Sequence, residues 1–174
     1  MITTNRLGLK LPQDGDKVTQ DDANDNFKKL ETYVTTLTQA ASAYAPSALN
    51  LTNQYKTVPF GSIVKTGHAF SLSGGGIRIA EAGFAKVSVH VYANSLPAGD
   101  ALEVDIRKNG TTFWQYSAED SDSTYVVFDL VSRLIPVAAN DIITMAVRNW
   151  QYVRGKIVPE STYMTVDLYK NLNF

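Results

Sequence analysis

The residues whose types and spacing best suit chemistry are four aromatics with basic neighbours. Trp114 and Tyr116 follow an Asn109-Gly110 pair, and Trp150 and Tyr152 stand among Arg148 and Arg154. A sugar has an apolar C–H face and a rim of hydroxyls. An exposed aromatic plane beside Asp, Asn or Arg can therefore stack on the face and hydrogen-bond the rim. The same tryptophans could instead fill a core or a subunit interface, and spacing alone leaves both readings open.

Other chemistry finds less support. His68 and His90 are isolated, with no Asp or Glu at metal-ligand spacing, so both read as structural. Glu119, Asp120 and Asp122 crowd one stretch, SAEDSDST. Carboxylates there could hold calcium, but the loop glycine is missing and Val131 stands where a calcium loop has its distal bidentate Glu. Ser73-Gly74-Gly75-Gly76 lacks both the strand-to-helix context of a nucleophile elbow and the Lys-Ser/Thr ending of a phosphate loop, and reads as a turn. Acids are scattered through every loop, and nothing singles out a pair for glycoside hydrolysis. The expectation is a protein that is not an enzyme, with no catalytic residue, no metal and no cofactor.

The totals narrow the partners. A chain of 174 residues with a formal net charge of -1 can bury one sizeable core and carries no basic field for nucleic acid. It has no cysteine, which removes disulfides and thiolate chemistry. No apolar run has the length of a membrane span, and MITTNRLGLK lacks the apolar core of a signal peptide. The expected partners exclude nucleic acid and membrane, and the expected site of synthesis is a cytoplasm.

The elements that must position these residues fall into two kinds. Ala23, Phe27, Leu30, Val34, Leu37, Ala41 and Tyr44 recur at spacings of four and three without Gly or Pro, the a/d seam of a coiled coil over residues 19–45. Thr19 is placed as N-cap with Asp22 completing a capping box. An a/d-only stripe is narrower than a helix packed on its own domain usually shows, although that packing is the alternative. Before the helix, residues 1–18 carry Pro12 and Gly15 with little periodicity and should be extended. Residues 46–60, with Pro46 and Pro59, read as a linker.

Beyond the linker the period changes to two. Ala85, Val87, Val89 and Val91 alternate with polar residues. Leu102, Val104 and Ile106 do so against Glu103, Asp105 and Arg107 before the Asn109-Gly110 hairpin. Val126, Phe128, Leu130 and Leu134 continue the pattern, followed by Ile143, Met145 and Val147, and then by Met164, Val166 and Leu168. Residues 61–174 are expected to form an antiparallel β-sandwich head of about eight strands.

Two resemblances add to this reading. The run Asn5, Leu7-Gly8-Leu9-Lys10, Pro12, Asp16-Lys17-Val18, Asp21 and Asn24-Asp25-Asn26-Phe27 with Leu30 resembles the opening of many structural proteins of phages of Gram-positive bacteria, "GL.LP...D.V....FN.NF..L". The resemblance implies a virion-anchoring segment, with Leu7, Leu9, Leu11, Pro12 and Val18 in contact with another virion protein of capsid, collar or tail. Separately, Ile79, Gly83-Phe84, Val87-Ser88-Val89, Val104, Lys108-Asn109-Gly110, Val137, Asp141, Ile143, Tyr163, Val166 and Leu168-Tyr169 resemble the C1q/tumour-necrosis-factor jelly roll. Asn140 stands where that family has Gly, and Phe84 where it has Tyr.

Heads of that family pack as threefold trimers through one sheet, so the resemblance implies a homotrimer and sets the copy number of the stalk. Together these features lead to the expectation of a homotrimeric phage fibre located on the virion. Its head would bind a host-surface receptor, a cell-wall glycan through Trp114, Tyr116, Trp150, Tyr152 and Arg154. The alternatives are an architectural capsid or collar decoration and a non-viral C1q-like adhesion module.

Overall fold

The computed structural model describes residues 2–3, 10–11, 19–96, 99–120, 125–150 and 154–170, in two compact units, Met1–Thr38 and Gln39–Phe174. The anchor residues Leu7, Leu9, Pro12 and Val18 lie outside the described residues. In the first unit β1 (Ile2–Thr3) pairs antiparallel with β2 (Lys10–Leu11), and α1 runs from Gln20 to Leu37. The cap forms as the residue types require. Thr19 Oγ1 accepts the Asp22 N–H at 3.2 Å while the Asp22 carboxylate accepts the Thr19 N–H at 3.3 Å, so two N-terminal donors are satisfied reciprocally. On the surface Lys29 pairs with Asp25 one turn away at 3.0 Å. Of the seam residues whose side chains are described, Phe27 is 69% exposed and Leu30 is exposed, while Ala23 is partly buried.

The helix stops at Leu37, seven residues before the seam was expected to end. Thr38–Tyr44 is strand β3, and Ala41 and Tyr44 belong to the sandwich rather than to a coiled coil. Gln39, Ala41, Ala43 and Ala45 are buried in alternation with Ala40, Ser42 and Tyr44. In this stretch the inward side chains are mostly Ala, which gives a period of two almost no hydrophobic contrast and is itself a helix former. Gln39 adds a tether: its Oε1 accepts the N–H groups of His68 and Ala69, both at 2.9 Å.

The strands continue with β4 (Leu49–Asn50), β5 (Lys56–Thr57), β6 (Ser62–Lys65), β7 (Phe70–Ser73), β8 (Gly76–Ile79), β9 (Gly83–Asn94) and β10 (Asp100–Lys108). After them come β11 (Thr111–Asp120), β12 (Tyr125–Val131), β13 (Ile135–Val137), β14 (Ile142–Asn149), β15 (Lys156–Ile157) and β16 (Tyr163–Tyr169). An eight-stranded sheet has the order β4-β15-β9-β16-β3-β6, with β12 and β13 on the other edge of β9. A six-stranded sheet has the order β11-β10-β14-β8-β7, with β5 on β14. The pairings of β10 with β11 and β14, and of β9 with β12 and β16, are antiparallel, and the two inner faces enclose one core.

The alternating strands behave as their patterns dictate. Ala85, Val87, Val89, Val91 and Ala93 of β9 are buried, as are Leu102, Val104 and Ile106 of β10, and Val126 and Leu130 of β12. Ile143, Met145 and Val147 of β14 and Met164, Val166 and Leu168 of β16 complete the interior. Leu134, expected to point inward with them, is 39% exposed because β12 ends at Val131 and Ser132 turns the chain toward β13. Ser132 is buried, with its hydroxyl accepting the Val87 N–H at 2.9 Å and donating to the Arg133 carbonyl at 2.8 Å.

Asn140, in place of the resembling family's Gly, has φ of 76°, a left-handed conformation that Asn tolerates better than other side-chain-bearing residues. The neighbouring Asp141 ties the Asn109-Gly110 hairpin to β14. It accepts the Asn109 amide at 2.7 Å and the Ala138 N–H at 2.9 Å. Burial, which raises its pKa, is outweighed by these donors and by Lys108, so the carboxyl lies below its ordinary range.

Residues 46–60, expected as a linker, are part of the sandwich. Leu51, Val58 and Phe60 are at most 5% exposed, and β4 and β5 pair with β15 and β14. Burying three such side chains contributes roughly 5–9 kcal/mol, comparable to the whole stability of about 5–15 kcal/mol typical of a domain. Residues 39–174 should therefore unfold as one cooperative unit in urea, and residues 61–174 should show no cooperative transition. Within the full chain Ile106→Ala should cost about 2–5 kcal/mol and Leu134→Ala about 0.5 kcal/mol or less. Equal effects of the two would contradict the inward and outward assignments.

Candidate functional site

The pairing of β10 with β11 and β14 separates the aromatic residues that spacing had grouped. Trp114 stands opposite Ile106 and Tyr116 opposite Val104, on the core side of the sheet. Trp114 is half-buried against the core, and its Nε1 has no hydrogen-bond partner among the described residues. Tyr116, at the edge strand, is 46% exposed. The other side of the same sheet carries Glu103, Asp105, Arg107, Gln115 and Arg148, because their registers differ by one. Trp150 follows Arg148 by two residues just past the end of β14 and is 54% exposed. Tyr152 lies outside the described residues, and Arg154 is exposed.

On this outer face Glu103 and Asp105, read as solvent-facing from their alternation, are 5% and 2% exposed. What covers them is a polar network organised by Tyr55. The Tyr55 hydroxyl donates to Glu103 Oε2 at 2.8 Å and accepts from Gln115 Nε2 at 3.0 Å. Arg148 Nε donates to the same Glu103 oxygen at 2.5 Å. Its guanidinium carbon lies 4.6 Å from the Tyr55 ring centroid and 4.6 Å from that of Trp150. Arg107 lies over Tyr55 at 5.0 Å and donates to Asp105 Oδ2 at 2.7 Å, an oxygen that also accepts the Thr112 hydroxyl at 2.8 Å.

Each carboxylate is thereby neutralised by a cation on its own face. Burial and the hydrogen bond to Glu103 push the Tyr55 hydroxyl up to about 12, and Glu103 holds the Arg148 guanidinium above its usual value. Opposite charges directly across strands, Glu103 on Arg148, were a legible signal for the pair. Tyr55, in the segment read as linker, gave none. The result is a side-by-side set of a fixed guanidinium, an amide and a half-exposed indole. Chemically this set can stack on an apolar ring face and donate hydrogen bonds around it.

The outward face of the eight-stranded sheet is different in kind. Strands β3, β6, β9, β12 and β16 present Tyr44, Val64, His90, Tyr92, Tyr125, Val127, Val131 and Tyr163 there. Tyr163 stacks on His90 with centroids 5.1 Å apart and touches Tyr44 at 5.8 Å, and Tyr92 meets Tyr125 edge-on at 6.1 Å. Val64 is 68% exposed, and Tyr125, Val127 and Val131 are each about half exposed. Polar groups on this face pair locally: His90 with Asp129 at 2.8 Å, and Ser42 with Thr165 at 2.8 Å. Burial raises the Asp167 carboxyl against the opposing effect of Lys86. The remaining chemical candidates stay apart, with His68 after the β6 strand and Ser73–Gly76 as the β7–β8 turn. Among the described residues no three His, Asp or Glu side chains are grouped as metal ligands, and no helix is long and apolar enough to cross a membrane.

No protein-family model matches the sequence, and no curated protein matches it. Solved structures do match the fold. Murine APRIL at pH 5.0 aligns with a TM-score of 0.58 at 13% identity, covering 75% of this chain and 98% of that one. The tumour necrosis factor Eiger from S. frugiperda aligns with a TM-score of 0.56 at 14% identity over 79% of this chain and 96% of that one. At such identity the likeness is one of fold: the sandwich is a tumour-necrosis-factor-like jelly roll.

The network makes a titration test possible. A neutral Tyr55 is favoured by the folded state, so its contribution is complete below about pH 10, the ordinary tyrosine value, and is lost as pH rises through about 12. Absorbance at 295 nm should show one tyrosine ionising late, and Tyr55→Phe should remove that step. A late step that survives the substitution would place the raised hydroxyl elsewhere.

Proposed function

We propose that this protein is the homotrimeric, non-enzymatic fibre of a phage, located on the virion, whose jelly-roll head binds a receptor on the host surface. The observation that carries the reading is the aromatic and aliphatic outward face of the eight-stranded sheet. Soluble monomers rarely leave so many large apolar side chains together in water, and such a face marks an interface. On a tumour-necrosis-factor-like head, the threefold packing implied by the family resemblance covers a face of this kind. The exposed Phe27 and Leu30 on the capped helix support a parallel association of α1 in the assembly. The opening motif from Asn5 to Leu30 supports attachment to the particle through residues 1–18.

In this trimer the outer face of the six-stranded sheet remains free, and we assign the receptor contact to it. A host cell-wall glycan stacks on Trp150 and is hydrogen-bonded by Arg148 and Gln115. Trp114 is withdrawn from the contact by its place on the core side. Each such site is shallow, with an expected affinity near the millimolar range, about -4 kcal/mol. Three copies on one head, repeated over a particle, raise avidity by roughly 10² to 10⁴.

The full chain should sediment as three copies at micromolar concentration, and Val127→Asp with Tyr163→Asp should yield folded monomers. Leu30→Asp with Val34→Asp should separate the helices and leave the heads associated. A wild-type monomer would remove the basis of the reading. Purified trimer should bind host cells, with Trp150→Ala reducing binding at least tenfold while near-UV spectra stay native. Absence of binding, together with normal adsorption by particles lacking the protein, would leave an architectural decoration.

A further inference from the structure

Beside the aromatic face, a cleft encloses about 420 Å³ between the ends of β4, β9 and β15, lined by Asn50, Leu51, Thr52, Ser95, Arg154, Gly155 and Lys156. That volume suits a group of monosaccharide size. We infer that this cleft binds a phosphate-bearing polyol or sugar, with Arg154 and Lys156 on the phosphate and Asn50 and Ser95 on hydroxyls.

The charge of the lining carries the inference. Two cations line the cleft, and among the described residues no carboxylate does. Among the described residues neither Arg154 nor Lys156 forms an ion pair, in contrast to Arg107 and Arg148 on the six-stranded sheet. A third cation, Lys56, donates to the Asn50 carbonyl at 3.1 Å and adds to the local positive field. Anions entering such a site gain charge-assisted hydrogen bonds without first displacing a protein carboxylate.

The backbone that carries these cations is held in place. Buried Asn149 donates its side-chain amide to the Arg154 carbonyl at 2.9 Å, and the Leu51 N–H donates to the Gly155 carbonyl at 2.9 Å. Lys156 pairs with both Asn50 and Asn94 in the sheet. Gly155, at φ of 96°, packs so tightly that a Cβ there would stand 2.6 Å from Leu96 and 3.1 Å from Leu51. Its absent side chain leaves the cleft floor as backbone. Ser95, at φ of 58°, holds the left-handed conformation that non-glycine residues seldom adopt, and its hydroxyl makes only a long contact of 3.5 Å to Asn94. Thr52, by contrast, both donates to and accepts from Gln54 and serves as wall rather than as donor. A fixed frame carrying unpaired donors reduces the ordering cost of binding.

The inference deepens the receptor reading and rests on it for its biological use, since it makes the host polymer anionic as well as sugar-like. Binding itself is measured on the isolated full-length protein. A synthetic 1,3-linked glycerol phosphate oligomer, titrated by calorimetry, should bind saturably and weaken as salt rises. Arg154→Gln with Lys156→Gln should weaken it by about tenfold or more, as expected for lost charged hydrogen bonds. Lys28→Gln with Arg133→Gln, which removes the same charge elsewhere, should leave it unchanged. Should the double cleft variant fail to fold, Arg154→Gln alone, at an exposed side chain, should still weaken binding.

Absence of saturable oligomer binding overturns the inference, as does equal weakening by the Lys28 and Arg133 pair. Inorganic phosphate binding as tightly as the oligomer overturns the polyol assignment. If the oligomer fails while wild-type trimer still captures host cells, only the cleft falls. If the oligomer binds and cells are not captured, the receptor reading falls and the cleft stands.

Discussion

The sandwich depends on one strand being satisfied along both edges. β9 spans twelve residues, and it pairs with β16 and β15 on one edge and with β12 and β13 on the other. A strand so enclosed cannot slip by one residue without exchanging Ala85, Val87, Val89, Val91 and Ala93 for Phe84, Lys86, Ser88, His90 and Tyr92 in the core. Register is thus fixed by burial of one face. The break between β12 and β13 leaves a backbone N–H at Val87 without a ladder partner, and buried Ser132 accepts it. The same register dictates the outward face, since whatever alternates with the buried valines must collect on the other side.

The second sheet meets a different problem, acids on a sheet face that another segment covers. Removing Glu103 and Asp105 from water is unfavourable unless each gains a cation and further donors. Arg148 and Tyr55 supply these for Glu103, and Arg107 and Thr112 for Asp105. The consequence is rigidity: Arg148 cannot leave without stranding a buried carboxylate, so its guanidinium keeps a fixed position between Tyr55 and Trp150. The cations of the cleft have no such obligation. The arginines therefore differ in role: Arg107 and Arg148 are tied to buried acids, and Arg154 forms no ion pair among the described residues.

Where hydrophobic contrast was strong, the fold was legible from residues alone. The runs at β9, β10, β14 and β16, the Asn109-Gly110 hairpin and the Thr19 cap all follow their patterns, and the C1q/tumour-necrosis-factor resemblance fits the solved structures that share the fold. Where contrast was weak, reading failed. Ala41 and Tyr44 of β3 continued a heptad by chance, and short strands around Leu51 and Val58 had too few residues for any period to show. For the site, types were legible and sides were not. The β-bulge between Ile106 and Arg107 and the length of each strand decide which face Trp114 and Trp150 take, and neither can be counted from spacing across a turn.

The two sheets therefore divide the surface of the head by chemistry. The outward face of the eight-stranded sheet carries aromatics, valines and locally paired polar groups, which lose little on leaving water. The outward face of the six-stranded sheet carries ion pairs and a half-exposed indole. Self-association through the second would bury two guanidinium–carboxylate pairs, with a desolvation cost that their mutual attraction does not reliably repay. Through the first it removes apolar area from water, at about 25 cal/mol per Å². Association through the eight-stranded sheet leaves the charged face of the six-stranded sheet available to a ligand, so the proposed assembly and the proposed contact at Arg148, Gln115 and Trp150 do not compete for the same residues.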